Sequence, residues 1–123
     1  MAEKEKFTIQ LDETLQIIRQ NITGQFDEEE AKKISNATRA VARELKDPQR
    51  VRILAVASNV GKLGSKARKI LMNDLKDPTL YKMAFVDSNP FIKVLISFIF
   101  ILTGLDKVRM FSDEKDAIGW LNK

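Results

Sequence analysis

Between two segments of helical periodicity the chain carries Val51-Arg52-Ile53-Leu54-Ala55-Val56-Ala57, a run whose single polar member is Arg52. A strand with one face in water alternates apolar and polar side chains. A nearly unbroken apolar run needs cover on both faces, which is the situation of a central strand in a mostly parallel sheet. Parallel neighbours require crossover connections, usually helical, so this one run ties its surroundings to an α/β arrangement. The flanking patterns comply. Upstream, Asp27 with Glu30 forms a capping box, and Ala31, Ile34, Ala37, Val41 and Leu45 recur at helical spacing until Asp47-Pro48. Downstream, the loop Ser58-Asn59-Val60-Gly61-Lys62-Leu63-Gly64 leads to Ser65, a suitable cap for a helix through Ala67, Ile70, Leu71 and Leu75 that Asp77-Pro78 closes.

The outer segments extend the same grammar. Phe7, Ile9 and Leu11 alternate with polar residues, and beyond Asp12-Glu13-Thr14 a second β-prone run, Leu15 to Ile22, predicts a hairpin. Lys82 to Val86 reads as a further buried strand; Pro90 opens an apolar helix; Val108, Met110 and Phe111 mark a last strand. Ser112-Asp113-Glu114-Lys115-Asp116 then opens a final helix carrying Ala117, Ile118, Trp120 and Leu121. The predicted order is ββαβαβαβα: an α/β fold with helices packed on a mostly parallel sheet whose N-terminal hairpin is antiparallel. Residues 1–123 form one domain, with no internal repeat and no linker.

The apolar helix carries a surplus. From Phe91 to Leu102 only Lys93 and Ser97 are polar, and the run ends at Thr103-Gly104, well short of the roughly 20 residues that cross a membrane. With Phe91, Val94, Leu95, Phe98 and Leu102 facing the sheet, Ile96, Phe100 and Ile101 fall on the flanks or the outer side. Burying each of these is worth about 1.5–3 kcal/mol, so the pattern predicts a cover. A protein partner, such as a second copy in a homodimer, is the expected one; a membrane surface or a bound acyl chain is the alternative, and the thin polar stripe disfavours simple adsorption to a membrane.

Composition removes whole classes of chemistry. The 123 residues include no cysteine and no histidine, which excludes thiolate and imidazole metal sites, cysteine nucleophiles and histidine relays. No metal site, no cofactor and no catalytic residue is expected. The absence of cysteine fits a reducing compartment, and the charged start Met1-Ala2-Glu3-Lys4-Glu5-Lys6 resembles no export signal, so the expected location is the cytoplasm. A net charge of +4 in a chain rich in both signs explains solubility and predicts no nucleic-acid partner.

In an open α/β sheet, ligands bind beyond the carboxyl ends of the strands, which brings the loop Ser58 to Ser65 beside Asp87 to Pro90. This loop has glycines, a helix start with unpaired amides, and Lys62, Lys66, Arg68 and Lys69 with no acid among them. Gly61, Lys62, Gly64, Ser65, Lys66 and Lys69 are therefore the candidate contacts for an anion or lipid headgroup, against the plain reading of a solvated strand-to-helix turn. The spacing is not that of a P-loop. The acidic start Asp27-Glu28-Glu29-Glu30 is explained by capping and the helix dipole, and Trp120 is expected as a core anchor.

The element order, the strand Lys82 to Val86 followed by Asp87, and above all the tail from Lys107 through Phe111-Ser112-Asp113-Glu114 to Ala117-Ile118-Gly119-Trp120-Leu121 resemble the STAS domain and, within it, the SpoIIAA-like branch. That branch resembles in fold the lipid-binding Sec14 (CRAL-TRIO) domains. Anti-sigma antagonists of the STAS superfamily carry a phosphorylatable serine in an Asp-Ser-Ser-Gly type segment after the third strand. Here the same region reads Ala57-Ser58-Asn59-Val60-Gly61-Lys62-Leu63-Gly64-Ser65, without the Asp-Ser pair, leaving Ser58 and Ser65 as the candidate phosphorylation positions. Together with the apolar surplus, this points to a non-catalytic interaction or regulatory module, self-associating through the apolar third helix. The alternative is a lipid or apolar-ligand binding protein that uses that helix and the basic loop.

Overall fold

The computed structural model describes residues 7–23, 27–58, 64–86 and 106–123. Five strands form one sheet in the order β1 (Phe7–Asp12), β2 (Ile17–Thr23), β3 (Val51–Ser58), β4 (Leu80–Val86) and β5 (Val108–Phe111), so sequence order and spatial order coincide. The β1–β2 pair is antiparallel and the three remaining pairs are parallel. The run that demanded cover on both faces is the middle strand, and the predicted hairpin supplies the antiparallel edge. Among the described residues three helices complete the fold: α1 (Glu28–Ala42), α2 (Ser65–Leu75) and α3 (Glu114–Leu121).

Alternation along the strands builds two cores, one on each side of the sheet. Ile18, Ile22, Ile53, Ala55, Ala57, Met83 and Phe85 share one face with Leu45 and Leu75, and Ile34, Val41 and Leu71 of α1 and α2 pack against them. Ile17, Leu54, Ala84 and Val86 belong to the other face, covered by Ala117 and Leu121 of α3. Both β2–α1–β3 and β3–α2–β4 step in the same direction across the sheet, so right-handed crossovers put α1 and α2 on one face.

Local chemistry sets the helix ends. Asp27 caps α1 by accepting the Glu30 N–H at 3.1 Å, and Asp113 caps α3 by accepting the Asp116 N–H at 2.8 Å. Helix α2 departs from expectation: Gly64, which has no side chain to offer, occupies the N-cap, and Ser65 is the first helical residue instead of the cap. Helix α1 ends at Ala42, earlier than the apolar spacing suggested, and tight turns then carry the chain from Arg43 to a buried Leu45 through Glu44 N–H to Val41 and Leu45 N–H to Ala42 carbonyl bonds of 2.9 and 3.2 Å. The hairpin turn is also longer than expected. Leu15 and Gln16 belong to it, because Asp12 pairs with Ile17, and Asp12 accepts the Leu15 N–H at 3.0 Å. That bond, followed by the one from Arg19, holds the Asp12 carboxyl below its ordinary range.

Trp120 packs half-buried against the second core, on the apolar side of α3 as expected. Its ring centroid is 5.7 Å from that of Phe111 at an interplanar angle of 43°, while Ala117 and Leu121 take the fully buried places.

Candidate functional site

Helix α1 turns an unusual stripe toward the sheet. Its buried residues are Ala31 and Ser35, followed along the same side by half-buried Thr38 and Ala42. Small and hydroxyl side chains cannot fill the space that Leu or Ile would occupy at those positions. A cavity of about 110 Å³ lies there, walled by α1, by Ile70, Leu71 and Leu75 of α2, and by Ile22, Ile53, Met83 and Phe85 of the sheet. It is of the order that accepts one benzene-sized apolar group.

One corner of this cavity is polar. Gln20, only 4 % exposed in the middle of β2, donates from Nε2 to Thr38 Oγ1 at 2.9 Å, and Thr38 in turn donates to the Ile34 carbonyl at 2.7 Å. Ser35 Oγ donates to Asp74 Oδ1 at 3.0 Å, and Arg39 Nη2 reaches the same oxygen at 3.2 Å. Burial raises the Asp74 pKa against the opposing pull of the Ser35 hydrogen bond and the Arg39 charge. Ser35, Arg39, Ile70 and Asp74 also border a polar groove of about 220 Å³ between the outer sides of α1 and α2, completed by Lys32, Asn36 and Asn73. The Ser35–Asp74–Arg39 cluster is thus a shared wall between an apolar interior and a polar exterior.

The residues nominated from the sequence fall elsewhere. The carboxyl ends of β3 and β4 are side by side, with Val56 opposite Val86, as the loop argument requires. Ser58 is the last residue of β3; Gly64 and Ser65 start α2, where both are exposed, as are Lys66 and Lys69. Gly61 and Lys62 lie outside the described residues, as do Asp87 to Pro90 and the apolar contacts Ile96, Phe100 and Ile101. The basic stretch is acid-free only along the sequence, because Lys66 Nζ stands 3.8 Å from Glu28 Oε2 at the start of α1. Among the described residues there is no group of carboxylates fit to hold a metal ion, and no helix is long and apolar enough to cross a membrane.

The cavity itself was missed. Its signal lies in two places: a glutamine between Ile18 and Ile22 on the inward side of β2, and the Ala31, Ser35, Thr38, Ala42 stripe at helical spacing. The longer side chains Ile34 and Val41 on a neighbouring stripe masked it.

Comparison with known proteins supports the fold. No curated protein sequence matches the chain. A solved structure from Shewanella loihica PV-4, an uncharacterized protein of the DUF3478 family with a SpoIIAA-like fold, is similar with a TM-score of 0.71 at 16 % identity, over 98 % of each chain. The SpoIIAA-like family model matches residues 17–122, from the second strand of the sheet through the final helix, and the chain belongs to that family.

Proposed function

We propose that this domain is a non-catalytic, cytoplasmic interaction module of the STAS type that self-associates through the apolar run Phe91 to Leu102. The observation that carries this reading is the surplus in that run: Ile96, Phe100 and Ile101 exceed what one sheet-facing stripe can bury, at about 1.5–3 kcal/mol each. The lack of cysteine and histidine throughout the sequence supports a role without nucleophilic or imidazole chemistry. A closed homodimer with the same patch on both subunits is the simplest cover. Light scattering on the eluting protein tests it: the wild type runs as a dimer and Phe100→Asp as a monomer. A wild-type monomer at high micromolar concentration contradicts self-association.

The cavity under α1 favours a second reading, an apolar-ligand binding protein. An apolar group would enter the space beside Ile22, Ile53 and Phe85, and a polar head would remain at Arg39 and Lys32 in the outer groove. Native mass spectrometry after gentle purification checks this, with retained mass expected in the wild type and lost when Ala31→Leu fills the cavity. Phosphorylation at Ser58 or Ser65 belongs to the regulatory side of the first reading, and phosphoproteomics tests it, with Ser65 exposed at the start of α2.

A further inference from the structure

On the side of the sheet opposite α1 and α2, four cations gather around two rings. Arg50 Cζ lies 4.0 Å from the Tyr81 ring centroid, with Arg52 Cζ and Lys82 Nζ each at 5.2 Å. Lys82 Nζ is also 4.9 Å from the Trp120 centroid, and Arg109 Cζ 5.2 Å from it. The backbone builds this cluster through an irregularity. Val51 pairs with Leu80 but Arg52 pairs with Lys82, so Tyr81 is the extra residue of a bulge, a device that re-aims a side chain.

The same register sets Arg52 directly opposite Lys82, a like-charge pair that a sheet ordinarily avoids. Among the described residues none of the four cations has an Asp or Glu ion-pair partner. Lys82 is accounted for, since it donates to the Trp120 carbonyl at 2.8 Å and the Lys123 carbonyl at 3.4 Å, and Arg109 shares that negative end of α3. Arg52 is not, and Arg50 is engaged by Tyr81 rather than by an acid. Arg50 is exposed, while Arg52 Nε is buried and has no hydrogen-bond partner. A buried donor left unpaired is a cost that a bound acceptor removes.

We propose that Arg50, Arg52 and Tyr81 form a clamp for a phosphate-type oxyanion. Guanidinium forks bind tetrahedral oxyanions in bidentate fashion, and both groups stand within cation–π range of the Tyr81 ring, which restricts them. Two guanidiniums with the Lys82 ammonium nearby carry more charge than a monoanion neutralises, which selects a phosphate dianion over a carboxylate. The field is expressed on Tyr81 as well: its phenol is pulled below its usual range by the Arg50 hydrogen bond first, and by the charges of Arg50, Lys82 and Arg52. The phosphate group can belong to a soluble phosphate compound or to a lipid headgroup.

Inorganic pyrophosphate titrated into the full chain at low salt, followed by calorimetry and thermal melting, tests the clamp. Saturable binding with a raised Tm is expected, weakened about tenfold or more in Arg50→Gln/Arg52→Gln. Lys33→Gln, an exposed charge on α1 placed in no site, should bind as the wild type does. If the double variant melts early without pyrophosphate, Arg50→Gln alone, at an exposed position, gives the reading. Vesicles containing a phosphorylated inositol lipid, compared with phosphatidylcholine alone, separate the sources: capture that depends on Arg50 and Arg52 assigns a headgroup, and pyrophosphate binding without capture assigns a soluble phosphate. Undiminished binding by the Arg variants, or no binding to either probe, overturns the proposal.

Discussion

Gln16 shows how much one residue can hold. It closes the β1–β2 turn with φ at 56°, in the left-handed region that a residue with a Cβ enters at a cost of about 1–2 kcal/mol. Its side chain offsets this cost with two bonds, donating from Nε2 to the Glu13 carbonyl at 2.7 Å and accepting the Lys46 N–H at 2.9 Å, which ties the hairpin to the turn after α1. Gln16→Ala keeps the strained backbone and loses both bonds, whereas Gln16→Gly loses the bonds but relieves the strain. The expected order of Tm is wild type, then Gly, then Ala; a Gly variant below the Ala variant would show that the strain is not felt. Asp74 makes the opposite kind of statement. Burial raises its folded pKa above the unfolded 3.8, so the folded chain binds that proton more tightly. Asp74 therefore favours folding most below pH 3.8, and the advantage is lost as pH rises through the folded value. Asp74→Asn keeps an acceptor for Ser35 without the charge, and its Tm at pH 7 should equal or exceed that of the wild type, with the difference shrinking toward pH 3. A clear drop at pH 7 means that the Arg39 pair outweighs desolvation.

The contact between β2 and α1 shows what an element contributes beyond its residues. Periodicity marks α1 as amphipathic, yet beside Ile34 and Val41 the stripe it turns inward is small and hydroxylated, and a cavity lies over that stripe. The Gln20–Thr38 bond lies in its wall. Thr38→Val strands the Gln20 amide in an apolar setting and should cost about 1–3 kcal/mol in chemical denaturation. Replacing both partners, Gln20→Leu with Thr38→Val, removes the polar demand together with its satisfaction and should recover most of that loss. If the double variant is instead as unstable as the sum of the singles, the pair is not coupled. Cap chemistry at α1 and α3 was legible because an acid three residues before its target amide is a local pattern. At α2 it misled: Ser65 looked like the cap, but the strand-to-helix loop delivers Gly64 to that place.

Across the whole molecule the sheet divides two cores, and β3 is the strand both depend on. Leu54 is 1 % exposed on the α3 side, and Ile53 and Ala55 are buried on the other. Leu54→Ala should lower unfolding free energy by about 2–5 kcal/mol, with near-UV circular dichroism reporting loss of packing around Trp120. A second long-range tie runs from the hairpin to the final helix: Arg19 pairs with Asp12 at 3.0 Å and with Glu114 in the first turn of α3. The side chains of Arg19 and Glu114 are partly open to water, so this link orients more than it stabilises.

The amino-acid sequence by itself determined the order of the described elements, the central place of Val51 to Ala57 and the antiparallel edge. These rest on periodicity and end signals, which act between residues a few positions apart. Only the tertiary structure decided where side chains from distant segments meet. The cavity under α1, the polar wall of Ser35, Arg39 and Asp74, the Lys66–Glu28 approach and the bulge that sets Tyr81 among Arg50, Arg52 and Lys82 all depend on register and helix packing. Those quantities follow from the packing of the whole chain, because a one-residue slip between β3 and β4 changes every contact beyond it while leaving the local pattern untouched.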